Sequence, residues 1–85
     1  MTVYVDDLKL WGNWHYGLSC HMTADTEAQL HAMARRIGMR PEWLQSGRHP
    51  HYDLTAYRRE RAIKAGAVET TARMRLAALD AEAQG

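Results

Sequence analysis

His49-Pro50-His51-Tyr52-Asp53-Leu54-Thr55 is the stretch on which the reading of this chain turns. Pro50 removes a backbone donor and biases His49 towards an extended conformation. From His51 to Leu54 the residues alternate as in a short strand. Tyr52 and Leu54 take one face, suited to a core, and His51 and Asp53 take the other. Thr55 then stands where a helix N-cap belongs. An imidazole beside a carboxylate serves as a metal-ligand pair, as an oriented general base, or as an ordinary hydrogen-bonded pair. A helix N-terminus next to it suits an anion.

Working outward, Ser46-Gly47-Arg48 reads as a loop, and Pro41 opens a helical turn whose Trp43 and Leu44 suit the core. Upstream lies a helix over about 26–37. Asp25 or Thr26 caps it, Thr26-Glu27-Ala28-Gln29 has the form of a capping box, and Gly38 is its C′ glycine. Leu30, Met33, Ala34 and Ile37 form its core stripe, flanked by His31. Ser19-Cys20-His21-Met22-Thr23-Ala24 reads as a strand with Cys20 and Met22 on one face and His21 and Thr23 on the other. Thr2-Val3-Tyr4-Val5-Asp6 is an earlier strand of interior character, and the short connection between the two favours antiparallel pairing. Asp6 and Asp7 close that first strand. Acidic residues there serve as metal or active-site groups, or simply end a strand. The loop between the strands carries Trp11, Trp14 and Tyr16, enough aromatic area to cover a site, stack on a base or finish a core.

Downstream, a helix over about 56–65 stops at Gly66, Ala67–Thr70 makes a last strand, and a cap at Thr70 or Thr71 starts a helix to about residue 83. The order β-β-α-β-α-β-α defines a single α/β or α+β domain over residues 1–85, with a three- to four-stranded sheet and about three helices.

Eighty-five residues with 11 basic and 10 acidic side chains allow one modest core and indicate no bulk attraction to nucleic acid. No apolar run reaches membrane-spanning length, so no membrane partner is expected. The lone Cys20 forms no internal disulfide and the first residues do not resemble a signal peptide, which together point to a cytoplasmic setting. Chains of this size often gain core by associating, so a homo-oligomer is one possible state. Gly12 and Gly17 make no phosphate loop, no zinc-finger spacing is present, and Cys20 and His21 point to opposite faces of a strand.

Taken in order, Val3-Tyr4-Val5-Asp6-Asp7, Cys20-His21-Met22 with Ala24-Asp25, Leu30-His31-Ala32 with Arg36-Ile37-Gly38, His51-Tyr52-Asp53-Leu54 and Gly66-Ala67-Val68-Glu69 resemble domain-of-unknown-function family 4031. That family comprises short proteins of bacteria and their phages. The resemblance covers about residues 2–70 and leaves the last helix, about 71–83, outside it. It implies a self-contained, often phage-borne domain and brings no activity with it.

The residues themselves lead to a polar site that handles a phosphate-bearing ligand, such as a nucleotide or nucleic acid, by metal-assisted hydrolysis. His51, Asp53 and His21 are its expected catalytic groups. Asp6, Asp7 and Asp25 add hard oxygen ligands for a divalent metal (Mg, Mn, Fe or Zn). Arg48 and Arg58 would hold phosphate, and Trp14 and Tyr16 would stack on the ligand. The alternative is a non-catalytic, phage-encoded module that captures a nucleotide or a host protein.

Overall fold

The alternation in Ser19–Ala24 and Tyr52–Thr55 has a direct structural consequence, because these two strands lie side by side and share both of their faces. The computed structural model of the protein describes residues 2–9, 17–46 and 49–84. Its elements are β1 (Val3–Val5), β2 (Ser19–Ala24), α1 (Glu27–Arg36), a 3-10 turn (Pro41–Trp43), β3 (Tyr52–Thr55), α2 (Ala56–Lys64), β4 (Val68–Glu69) and α3 (Ala72–Gln84). Together they make a small α+β domain with a four-stranded mixed sheet in the order β3-β2-β1-β4. β2 is antiparallel to both β1 and β3, and β4 runs parallel to β1.

The helix boundaries follow local chemistry. Thr26 Oγ1 accepts the Gln29 amide at the start of α1, and Thr55 Oγ1 accepts the Arg58 amide at the start of α2. Each hydroxyl satisfies one of the orphan amides of a first helical turn. At the other end of α1, Gly38 takes φ +83°, a backbone conformation that L side chains rarely adopt. The chain then turns so that the Met39 amide donates to the Ala34 carbonyl. Thr71 caps α3 by accepting the Met74 amide.

One face of the sheet is apolar. Val5, Cys20, Met22, Tyr52 and Leu54 are fully buried there with Leu30, Ala34 and Ile37 of the α1 region and Ala62 of α2. Tyr52 reaches the edge of this core, where its hydroxyl and His31 Nδ1 are 2.7 Å apart. Trp43, which the sequence suggests for this core, is instead 43% exposed, and Leu44 is the neighbour that packs inward. A 3-10 turn advances about 120° per residue, so adjacent residues cannot both face the core.

The opposite face is polar and lies beneath α3. Discrete polar ties hold that helix. Asp7 Oδ1 accepts the Ala72 amide at 2.9 Å, the Arg75 Nε donates to Thr23 Oγ1 at 2.9 Å, and His49 Nε2 lies 3.1 Å from Asp80 Oδ1. Among the described residues no helix is long and apolar enough to cross a membrane.

Candidate metal centre

His21 and Asp53 are direct cross-strand partners in the β2–β3 register, so their side chains leave the sheet as neighbours on one face. His51 precedes Asp53 by two residues and therefore points to the same side. A pair of backbone hydrogen bonds with Gln45 holds His51 just before β3. His51 Nε2 lies 3.5 Å from Asp53 Oδ1, and His21 Nε2 lies 3.9 Å from the same oxygen. The two imidazoles meet edge to face with centroids 5.0 Å apart. One donor atom from each of His21, His51 and Asp53 lies within 4.8 Å of the others. Tetrahedral donors at transition-metal bond lengths stand about 3.4 Å apart, so small side-chain rotations would close this set on an ion.

Both rings are oriented from behind. Asp6 Oδ2 is 2.8 Å from His21 Nδ1, while Asp6 Oδ1 accepts the His21 backbone amide at 2.6 Å. The His51 Nδ1 lies 2.9 Å from the His49 carbonyl. A carbonyl only accepts, so Nδ1 of His51 carries the proton, and in the neutral ring Nε2 is the lone-pair nitrogen. The Asp6 carboxylate imposes the same tautomer on neutral His21. This is the arrangement in which a histidine serves best as a metal ligand. The Asp6 hydrogen bond also raises the His21 pKa above its ordinary value, and this outweighs burial, which acts in the opposite direction.

Asp6 lies at the head of this row because the antiparallel register of Tyr4 with Thr23 and Val5 with Met22, continued by one residue, sets it opposite His21. It is only 4% exposed. The same register carries Asp25 to the far end of β1. There its carboxylate accepts the Thr2 amide and the Tyr4 hydroxyl. Asp7 faces α3: the Ala72 amide, followed by Lys9, lowers its pKa. The structure therefore gathers His21, His51, Asp53 and Asp6, and sets Asp7 and Asp25 at structural ties elsewhere. Arg58 lies apart from the imidazoles, its guanidinium 5.3 Å from the centre of the Trp43 ring. Arg48, Trp14 and Tyr16 lie outside the described residues.

Between the polar face and α3 lies a cavity of about 280 Å³. Asp6, His21 and His51 line one wall, and Ala72, Leu76 and Leu79 line the other. Arg75, also in the lining, is buried and stacks 3.9 Å from the centre of the Tyr4 ring. This contribution of α3 goes unnoticed in the sequence reading. The signal is there nonetheless: Ala72, Arg75, Leu76 and Leu79 follow the i, i+3, i+4, i+7 spacing of one helix face. An arginine inside that stripe marks a polar surface beneath it.

Fold and site together define a small α+β domain that presents two histidines and a carboxylate on the polar face of its sheet. The chain belongs to the family described as "Protein of unknown function (DUF4031)", whose model matches residues 3–82. The match takes in most of α3, beyond the motifs that carry the resemblance in sequence. No curated protein and no solved structure matches the chain.

Proposed function

We propose that His21, His51 and Asp53 bind a divalent metal ion that acts on a phosphate-bearing ligand, a nucleotide or nucleic acid, by hydrolysis. The supporting observation is the convergence of two imidazole Nε2 atoms and one carboxylate oxygen, with each Nδ1 held by an oxygen acceptor. Two imidazoles and one carboxylate suit Zn, Fe or Mn better than Mg, which prefers oxygen ligands throughout. Three protein ligands leave coordination positions for water and ligand. The ion would lower the pKa of bound water and offset phosphate charge. Asp6 keeps the His21 ring in its ligating orientation. The lone, buried Cys20 thiol, pushed up to about 12 chiefly by burial, is consistent with a reducing, cytoplasmic setting.

The test is metal content after equilibration with Zn, Mn and Mg, followed by hydrolysis of phosphodiester and phosphomonoester model substrates. One equivalent of Zn or Mn, lost in His51→Ala and Asp53→Asn together with turnover, is the expected result. Metal binding without turnover would leave a nucleotide-capturing module. A protein that takes up no metal and turns over no substrate would remove the reading altogether.

A further inference from the structure

Asp53 faces a second concavity besides the histidine cluster. A groove of about 780 Å³ lies between the 3-10 turn and the start of α2, and Asp53 lines it together with Glu42, Trp43, Gln45, Thr55 and Arg58. Its size falls in the range of small-molecule sites. Trp43 is one of the large hydrophobic side chains left exposed. The Arg58 guanidinium stands over its indole at cation–π distance, which restrains a cation where a long side chain would otherwise be mobile. Gln45 is joined to His51 by a pair of backbone hydrogen bonds, which ties this wall of the groove to the histidine cluster.

These groups are complementary to one kind of molecule. A flat heteroaromatic ring stacks on an indole, and any base presents a π face for it. Its edge, carrying donors and acceptors, suits the Gln45 amide and the Glu42 carboxylate. An anionic phosphate suits a planar guanidinium. Asp53 would repel that phosphate unless its own charge were offset, and a cation bound by His21, His51 and Asp53 does so. The groove therefore offers two kinds of chemistry: a π surface at Trp43 and a metal-dependent phosphate position at Asp53.

We infer that this groove is the ligand arm of the metal site and binds a mononucleotide, its base stacked on Trp43 and its phosphate between Arg58 and the ion at Asp53. The inference rests on the metal reading given above. It makes Trp43 the specificity-determining residue for a nucleotide over other phosphate esters, and Arg58 the residue that holds the phosphate they share.

Calorimetric titration of the Mn-loaded protein with GMP, AMP, CMP, UMP and ribose 5-phosphate tests it, with Mn uptake measured separately on each sample. The nucleotides should bind about tenfold or more tighter than ribose 5-phosphate, in the range that base–aromatic stacking supplies. Trp43→Ala should remove most of that preference. Arg58→Ala should weaken nucleotides and ribose 5-phosphate together. Both variants should still take up Mn, which also reports that they are folded. Adenosine, which lacks phosphate, should bind equally with Mn or with chelator. Equal affinity for ribose 5-phosphate and the nucleotides overturns the inference, as does unchanged nucleotide affinity in both variants. Preference for a dinucleotide phosphodiester over the mononucleotides overturns the mononucleotide assignment. Failure of the underlying metal reading is a different result: no Mn uptake, whatever the nucleosides do.

Discussion

The two faces of the sheet are built from the same strands by opposite means. Cys20 and His21 are adjacent in sequence, as are Tyr52 and Asp53, yet in each pair one side chain enters a closed core and the other the polar cluster. The core face is sealed by volume: Met22, Tyr52, Leu30 and Leu54 are among the largest fully buried side chains. The polar face is held by individual contacts, from Asp6 to His21, Thr23 to Arg75 and Asp7 to the α3 amide. Apolar packing is non-directional and tolerates no voids, whereas hydrogen bonds set orientation at particular atoms. The protein thus has one face that supplies stability and another that fixes positions. Substitutions one residue apart should separate the two.

The largest effect is expected on the core side. Leu54→Ala removes a fully buried side chain and should cost about 2–5 kcal/mol. At roughly 4–8 °C for each kcal/mol in a domain of this size, thermal melting should fall by at least about 8 °C. Asp53→Asn, at the preceding position, should shift stability by no more than ~0.5 kcal/mol. A circular dichroism melt in which Asp53→Asn destabilises as much as Leu54→Ala would erase the distinction between the faces.

Asp6→Ala comes next, because this carboxylate is buried and receives two hydrogen bonds from His21. Stranding those donors should cost about 1–3 kcal/mol, read by urea denaturation. Loss of the group that orients His21 should also lower metal affinity by roughly 10–100-fold. The same contact predicts a pH dependence in the metal-free protein. The folded His21 has a raised pKa, caused first by the Asp6 hydrogen bond. Its contribution to stability is therefore complete below the unfolded histidine value, near 6.5, and is lost as pH rises through the higher folded value. Wild-type stability should decline across that window, and His21→Gln should flatten the decline. A flat wild-type profile there would show that the Asp6–His21 contact does not differ between the two ring charges.

Much of this division is legible in the chain. Period-two alternation in Ser19–Ala24 and Tyr52–Thr55 places His21, His51 and Asp53 on one kind of face, and the threonine caps and Gly38 place the helix ends. Which acids join the histidines is not legible. Asp6 and Asp25 are equally plausible partners until the register of β1 on β2 is known, and that register sends them to opposite ends of β1. The parallel pairing of β4 with β1 is a long-range contact and leaves no local mark. The role of α3 is hidden for a related reason. Its exposed side chains include Met74 and Leu76, so the apolar pattern along it is diffuse and the Arg75 stripe stands out only against a known polar face.

On the polar face itself, His51→Ala should change stability little while metal uptake falls below detection. The ring is partly exposed at the rim of the site, and the His49 carbonyl it leaves can be solvated. Equilibrium dialysis against Zn reads the loss. Retained stoichiometric binding in His51→Ala would reassign the cluster to structure.

The smallest effect belongs to the outer tie of α3. His49 Nε2 and Asp80 Oδ1 are 3.1 Å apart, with the aspartate side chain more than a third exposed. A pair of that kind contributes about 0–1 kcal/mol, so Asp80→Asn should scarcely alter global melting. Its effect should be local, because α3 is joined to the sheet at separate polar points rather than by a continuous core. Segments held in this way open at lower free energy than the strands beneath them. In native-state hydrogen exchange, α3 amides should exchange faster than those of β2 in the wild type, and Asp80→Asn should speed α3 further while leaving β2 unchanged. Equal acceleration in both would mean that α3 and the sheet open as one unit. The helix over the histidine cluster would then be part of the core scaffold rather than a separately anchored cover.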